Sequence, residues 1–108
     1  MRTLIQRFIR TAVICLLALA VGTQAQSDGA KIFKANCVLC HAADGRGNTT
    51  AGKALKAKDL QSDEVQKQSD AALSETITNG KGKMPAFGDK INPEDVKSLV
   101  AYIRTLKK

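Results

Sequence analysis

The hydrophobic and polar positions along the chain follow a helical pattern. After Asn92, apolar residues recur at positions i, i+3, i+4, i+7 and i+10 between polar and charged ones; they are Val96, Leu99, Val100, Ile103 and Leu106. This spacing places them on one face of an amphipathic helix. No stretch alternates apolar and polar residues over the length of a strand, so the sequence predicts an all-α fold.

Several positions carry the signal that opens a helix. At each one a capping side chain is followed at once by an aspartate or a proline, and these caps are Ser27, Ser62, Ser69 and Asn92. Such caps accept hydrogen bonds from free backbone N–H groups, and acidic residues and proline suit the first helical turn. We therefore expect a helix after each cap, a short turn over 53–58, and glycine-containing loops over 42–52 and 81–88.

The first residues have the layout of a secretory signal peptide. Arginines precede an uncharged apolar run over 12–21, and a short polar stretch leads to Ala25. The run is shorter than the ~20 residues of a membrane-spanning helix, so a permanent anchor is the less favoured alternative. We expect cleavage after Ala25, with a second, less polar site after Ala20. Residues 1–25 are then a signal peptide and 26–108 form one domain in the periplasm.

Composition limits the remaining classes of function. The whole chain has 108 residues and a net charge of +7, and part of that charge comes from arginines in the predicted signal peptide. The other positive charges are dispersed and aromatic residues are few, which argues against a nucleic-acid partner. A domain this small buries little apolar surface and usually needs a disulfide, a metal or a cofactor for stability. We expect a monomer.

The chemistry of the chain centres on Cys37-Val38-Leu39-Cys40-His41. Cys37 and Cys40 can each form a thioether with a haem vinyl group, and His41 can then bind the iron. His41 is the only histidine, and the third cysteine, Cys15, lies in the predicted signal peptide. A closed zinc site would lack ligands, and a redox dithiol would need a βαβ context. A structural disulfide is the remaining alternative to covalent haem.

A second candidate ligand lies later in the chain. Met84 is the only methionine beyond the predicted signal peptide, and it stands between Gly82 and Pro85 in the expected loop. A thioether is a soft ligand that suits haem iron opposite a histidine, whereas most methionines simply fill gaps in a core. We predict that His41 is the proximal and Met84 the distal metal ligand.

Together these motifs resemble those of class I c-type cytochromes, of the short monohaem bacterial and photosynthetic type. The resemblance covers nearly the whole predicted mature chain and rests on three segments: Gly29-x-x-x-Phe33 before the cysteine motif, Lys83-Met84-Pro85-Ala86-Phe87-Gly88, and Leu99-x-x-Tyr102. It implies a small cytochrome c fold with about four or five helices around one haem c, bound through Cys37 and Cys40. The first and last helices would cross at Gly29, with Phe33 and Tyr102 packed over the junction.

One position departs from that family pattern. Many relatives carry a proline after the haem motif, and its carbonyl accepts the proton of the proximal histidine. The equivalent stretch here reads Gly52-Lys53-Ala54-Leu55. Because such an acceptor needs no side chain, a main-chain carbonyl near Gly52 could serve in a less rigid loop, and the sequence leaves open which residue orients His41.

A haem iron bound by both His41 and Met84 has no open position, which favours one-electron transfer over catalysis. The resemblance implies a soluble periplasmic electron carrier that is not an enzyme, with periplasmic or membrane respiratory or photosynthetic complexes as redox partners. Lys81 and Lys83 beside Met84 suggest docking to an acidic surface, although exposed lysines are often only solvated.

Two other functions stay open. The chain could be a haem c subunit fixed in a larger periplasmic oxidoreductase. It could also be a haem sensor or peroxidase in which Met84 leaves the iron, with Arg46 and Arg104 as the candidate distal guanidinium groups.

Overall fold

The structure is a computed structural model that describes residues 25, 26 and 28–108. Apart from Ala25, the predicted signal peptide lies outside the described residues, as does the predicted cap Ser27. Within the described part of the chain there are no strands, and the helices are α1 (28–36), α2 (Val38–His41), α3 (Thr50–Leu55), α4 (Asp63–Gln66), α5 (Asp70–Asn79) and α6 (Pro93–Thr105). The all-α prediction is confirmed.

Capping side chains open the later helices where the sequence predicts them. Ser62 accepts a hydrogen bond from the N–H of Val65, Ser69 from that of Ala72, and Asn92 from that of Asp95. Each bond satisfies a backbone donor that has no partner inside its helix. The starts of α4, α5 and α6 therefore follow directly from the sequence.

The stretch after the cysteine motif differs from the prediction. A turn was expected over 53–58, but α3 begins earlier, at Thr50, because Thr49 caps it by accepting a hydrogen bond from the N–H of Gly52. The helix ends at Leu55, where Lys56 adopts a left-handed conformation with φ of 55°. The cysteine motif also forms a short helix of its own, α2.

The first and last helices cross at Gly29, as the resemblance implied. A β-carbon on Gly29 would overlap the carbonyl oxygen of Ser98 and lie 2.8 Å from Cβ of Tyr102. Only glycine therefore permits this close approach of the two backbones. The rings of Phe33 and Tyr102 pack across the junction with centroids 5.2 Å apart and planes tilted by 53°. This tilted arrangement is favourable for aromatic pairs.

The core joins the helices to the loop that contains Met84. Its buried members are Phe33, Leu60, Val65, Leu73, Ile77, Ile91, Val96, Leu99, Val100 and Ile103. Cys37, Val38, Met84 and Phe87 are partly buried and pack against this cluster. Segments distant in sequence thus contribute to one apolar interior. No helix among residues 25, 26 and 28–108 has the length and apolarity needed to cross a membrane.

Hydrogen bonds of the Arg104 side chain connect the end of α6 to the turn between α4 and α5. Its guanidinium donates to the carbonyl oxygen of Gln66 at 2.8 Å, to that of Gln68, and to Oδ1 of Asp70 at 2.8 and 3.0 Å. Charge-assisted bonds of this kind are stronger than neutral ones. The guanidinium of Arg104 is therefore occupied in holding α6 to the segment between α4 and α5.

Candidate haem site

The cysteine motif continues the path of α1 through a helical turn. The N–H of Cys37 donates to the carbonyl of Phe33 at 2.9 Å, and the N–H of His41 donates to the carbonyl of Cys37 at 2.9 Å. Residues three apart on such a turn share one face, so Cys37 and Cys40 lie on the same side. Both are free thiols and both are half-buried. Burial raises the pKa of the Cys37 thiol to about 11, which keeps it neutral at pH 7.

The ring of His41 is oriented by a main-chain carbonyl. Its Nδ1 lies 3.0 Å from the carbonyl oxygen of Lys58, so Nδ1 carries the proton and donates it. Burial lowers the pKa of His41, and the hydrogen bond to Lys58 opposes this only in part. The ring is therefore neutral, with a free lone pair on Nε2. This is the tautomer and protonation state in which histidine binds a metal.

The acceptor, which the sequence left open, is a main-chain carbonyl, and it belongs to Lys58 and not to a residue at Gly52. The carbonyl of Gly52 lies inside the helical stretch of α3 and already accepts from the N–H of Ala57 at 2.8 Å. This carbonyl therefore forms part of the C-terminal end of α3 and is already hydrogen-bonded. The chain then extends to Lys58, whose carbonyl reaches His41.

Gly52 has a different function, which is close packing against the cysteine motif. A β-carbon there would overlap the carbonyl oxygen of Cys40 and lie 2.5 Å from the carbonyl oxygen of Gly47. Thr49 reinforces the same contact, because its hydroxyl lies 2.7 Å from the carbonyl oxygen of Leu39 and 3.2 Å from that of Cys40. The sequence analysis did not identify Thr49 as the cap of α3, although threonine is a common capping residue at the start of a helix.

The backbone of Met84 is held by an isolated antiparallel bridge to Lys81. The N–H of Met84 donates to the carbonyl of Lys81 at 3.0 Å, and the N–H of Lys81 donates back at 3.1 Å. Gly82 permits the tight reversal between them with φ of 57°. Beyond Met84, the N–H of Phe87 donates to the carbonyl of Ile77 at 2.9 Å and attaches the loop to α5. The half-buried Met84 side chain consequently stays against the core.

These residues suit haem c as a donor set. Two free thiols share one face, an oriented histidine has an available Nε2, and a half-buried methionine packs on the same core as Cys37. Among residues 25, 26 and 28–108, no cluster of three or more His, Cys, Asp and Glu side chains could hold a metal ion. The assignment of Cys37, Cys40, His41 and Met84 to haem binding stays a prediction that this arrangement supports.

Comparisons with known proteins identify the family. Residues 24–103 match the family described as "Cytochrome C oxidase, cbb3-type, subunit III". The chain is 42% identical over 76 residues to cytochrome c6 of Anabaena variabilis, covering 70% of this chain and 85% of that protein. It is 41% identical over 86 residues to the Cbb3-type cytochrome c oxidase subunit FixP of Azorhizobium caulinodans, covering 78% of this chain but only 28% of that protein.

A solved structure shows the same fold. The chain superposes on the KustC0563 c-type cytochrome with a TM-score of 0.69 and 38% sequence identity, over 74% of this chain and 98% of that one. The family match and the similarity to full-length small cytochromes agree in both sequence and fold. The chain therefore belongs to the c-type cytochromes, as a class I monohaem member of the family named above, and its covalently bound cofactor is haem c.

Proposed function

We propose that this chain is a soluble periplasmic electron carrier, which transfers one electron at a time through haem c and catalyses no reaction of its own. One observation carries the proposal: main-chain hydrogen bonds hold both predicted axial ligands. Nδ1 of His41 donates to the carbonyl of Lys58, and the backbone of Met84 is bound twice to Lys81. Ligands held in this way move little when one electron is gained or lost.

Each residue has a distinct task in this proposal. Cys37 and Cys40 would attach the cofactor covalently, while Nε2 of His41 and the sulfur of Met84 would bind its iron. When bound, haem c supplies an iron centre that changes by one electron, and a Met/His ligand pair raises its reduction potential. Met84 and Phe87 are both partly buried against the apolar core, which would limit the access of water to the Met84 side of the cofactor.

The position of Arg104 argues against a peroxidase or a gas sensor. Its guanidinium is occupied by the carbonyl of Gln66 and the carboxylate of Asp70 at the end of α6. The other candidate, Arg46, lies 3.9 Å from the carboxylate of Asp44 in the loop after the motif. Arg104 is therefore not free to act on a ligand bound at the iron, which supports a carrier over a sensor or peroxidase that would use this residue.

Redox proteins are the partners of such a cytochrome, and we place their docking surface around the Met84 loop. Lys81 and Lys83 are exposed on either side of Gly82. Positive charges on both sides of the Met84 turn suit a transient complex with an acidic redox protein, because such charges steer the encounter.

The similarity to FixP favours a second candidate function. That protein is a subunit of a Cbb3-type cytochrome c oxidase, and this chain matches 28% of its length. The chain would then be a haem c subunit that stays docked in a larger oxidoreductase. Gel filtration of native periplasmic extract separates the two functions: a free carrier elutes at the size of the monomer, and a fixed subunit elutes with its complex.

Periplasmic location depends on the predicted signal peptide. Residues 1–25 provide the arginines, the apolar run and the small residues that such a peptide needs. Export would place the domain 26–108 in the periplasm. There it would receive haem c and could meet periplasmic redox complexes. The N-terminal sequence of the purified protein tests this directly, and we expect it to begin at Gln26.

The visible spectrum of the exported protein, oxidised and then reduced, tests the main proposal. We expect low-spin c-type haem bands together with the weak ferric iron-to-sulfur band of a methionine ligand. Haem without the methionine band would favour the sensor or peroxidase, which binding of CO to the reduced protein would then support. Protein purified without haem would end the electron-carrier proposal.

A further inference from the structure

Gly80 is the residue at which the chain leaves α5 and enters the loop that contains Met84. Its N–H donates to the carbonyl of Thr76 at 2.9 Å and so completes the end of the helix. Its φ of 75° and ψ of 170° are angles that residues with side chains rarely adopt. Ala42 nevertheless has a φ of 64° and a ψ of 164° in this chain. The backbone angles alone therefore do not explain the glycine.

The loop returns to Gly80 and packs directly against it. A β-carbon at position 80 would lie 2.6 Å from the carbonyl oxygen of Met84, 2.9 Å from the nitrogen of Ala86 and 3.0 Å from the carbonyl carbon of Pro85. These separations are well below the roughly 3.5–4.0 Å at which non-bonded carbon atoms attract each other. All three atoms belong to the backbone, so a side chain at position 80 would require the main chain at Met84 to shift.

Hydrogen bonds on both sides of this contact hold the loop in place. The backbones of Lys81 and Met84 exchange two bonds, at 3.1 and 3.0 Å, and the N–H of Phe87 donates to the carbonyl of Ile77 in α5 at 2.9 Å. The loop is thus bound to α5 beyond Met84 and closed on itself before it. Because both flanks are fixed, a displacement caused at Gly80 would fall on the backbone of Met84.

We propose that Gly80 is a positioning residue for the distal ligand: because it has no side chain, the end of α5 contacts the main chain of Met84 and keeps the methionine in place on the iron. The inference rests on the proposed function, because it takes Met84 as the distal ligand. Gly80 acts only through the backbone of Met84. A side chain at position 80 would displace that backbone and weaken the bond between the methionine sulfur and the iron.

Gly82, in the same loop, provides a matched comparison. It also has a positive φ, 57°, but a β-carbon there would meet no atom within 4 Å. Lys56 adopts nearly the same φ, 55°, so this chain accepts a residue with a side chain at that angle. Alanine at position 82 should therefore leave the backbone of Met84 where it is, whereas alanine at position 80 should displace it.

Cyanide binding to the ferric holoprotein tests the proposal, because cyanide can bind only where Met84 has left the iron. In Gly80→Ala we expect the ferric iron-to-sulfur band to weaken and cyanide to bind about tenfold faster than in the wild type, a factor equivalent to about 1.4 kcal/mol of overpacking. Gly82→Ala should keep the band and bind cyanide within about twofold of the wild-type rate. Equal rates in the two variants would overturn the proposal.

The opposite side of the site shows whether the effect is confined to Met84. In the reduced holoprotein, the ring Nδ1–H of His41 should exchange with solvent at the same rate in Gly80→Ala and in the wild type, since its acceptor on Lys58 lies outside the loop. Acceleration at His41 as large as that of cyanide binding would mean that Gly80 supports the fold as a whole, and it would overturn the positioning role.

The wild type keeps the proposal testable if Gly80→Ala yields no holoprotein. Because the contact with Gly80 holds the backbone, Met84 should leave the iron only when its main chain moves. In the cyanide complex the N–H groups of Lys81 and Met84 should therefore exchange faster than in the free ferric protein, while that of Val96, bonded to Asn92 in α6, keeps its rate. Unchanged exchange at Met84, or equal acceleration at Val96, would overturn the proposal.

The wild-type spectrum separates this inference from the proposed function. A wild type without the methionine band would remove the assignment of Met84 as a ligand, and with it the basis of the positioning role. A wild type with low-spin haem and the methionine band, combined with a Gly80→Ala variant that binds cyanide like Gly82→Ala, would overturn only the role of Gly80.

Discussion

Nδ1 of His41 is bound to the carbonyl oxygen of Lys58, 17 residues further along the chain. This bond fixes the ring plane and the tautomer without any contribution from the identity of the side chain at position 58. A proline is therefore one way to supply the acceptor, and any residue with the same backbone path can replace it. Because a carbonyl oxygen can only accept, this contact keeps the proton of the neutral His41 ring on Nδ1.

Acidification should act through His41. Burial lowers the pKa of His41 below its usual value of 6.5, so the folded protein favours the neutral ring. A group with a lowered basic pKa contributes stability that is complete above pH 6.5 and decreases as the pH falls below that value. We expect the low-spin spectrum to be constant between pH 8 and 6.5 and to be lost only at lower pH. Loss of the histidine ligand between pH 8 and 6.5 would contradict this expectation.

Gly29→Ala should destabilise the crossing of α1 and α6. The new β-carbon would overlap the carbonyl oxygen of Ser98, so the helices must separate. Overpacking of this kind costs about 1–3 kcal/mol, which denaturant unfolding of the holoprotein can measure. Lys31→Ala, at an exposed position of the same helix, is the control and should change the free energy of unfolding by less than ~0.5 kcal/mol. Equal stabilities of the two variants would show that the crossing is not tight.

Thr49→Ala should loosen the packing of α3 on the cysteine motif. The change removes the cap of α3 and the hydroxyl bonded to the carbonyl of Leu39 at 2.7 Å. We expect a loss of about 1–2 kcal/mol in the free energy of unfolding. Thr49→Ser keeps the hydroxyl and should recover most of that loss. If serine were as destabilising as alanine, the methyl group rather than the hydroxyl would be the important part of Thr49.

Met84→Leu should convert the carrier into a protein with an open iron position. Leucine has a similar size but no sulfur, so the ferric iron-to-sulfur band should disappear and the reduced protein should bind CO. The midpoint potential should fall by an amount on the order of 0.1 V or more, within the ~0.8 V that axial ligands span. Lys83→Gln, in the same loop, should retain the band. A Met84→Leu protein with an unchanged spectrum would remove Met84 from the iron.

Lys83→Gln should instead alter the steering of charged reactants. With ferricyanide as an anionic oxidant, the reduced variant should react about twofold more slowly than the wild type at low salt, and the difference should vanish at high salt. Lys107→Gln removes the same charge near the end of the chain and should have a smaller effect. Equal effects of the two variants would mean that net charge, and not the Met84 loop, governs the encounter.

Sequence reasoning succeeded where local signals determine the structure. The caps Ser62, Ser69 and Asn92 open their helices as predicted, and the apolar stripe of α6 faces the core. Gly29 and Phe33 also lie where the family pattern indicates. In each case the residues that identify the feature are close together in the chain or belong to a motif with fixed spacing.

The remaining features depend on contacts that have no local signature. The acceptor for His41 is a main-chain carbonyl, which every residue possesses, so only the path of α3 selects Lys58. The contact of Gly80 with the backbone of Met84 depends on how the loop folds back, and the bond from Arg104 to Gln66 spans 38 residues. The start of α3 was missed because Gly52 resembles a loop residue until its packing against Cys40 is seen.

The contact between α1 and α6 cannot form until the last of the described helices has been synthesised. Phe33, just before the cysteine motif, is covered by residues of α6, which emerges last of the described helices. While the chain is still incomplete, the two thiols are present but the helix that completes the interior beside them is not. The last of the described helices therefore closes the interior beside the cysteine motif, and a chain truncated before α6 would leave both thiols without that cover.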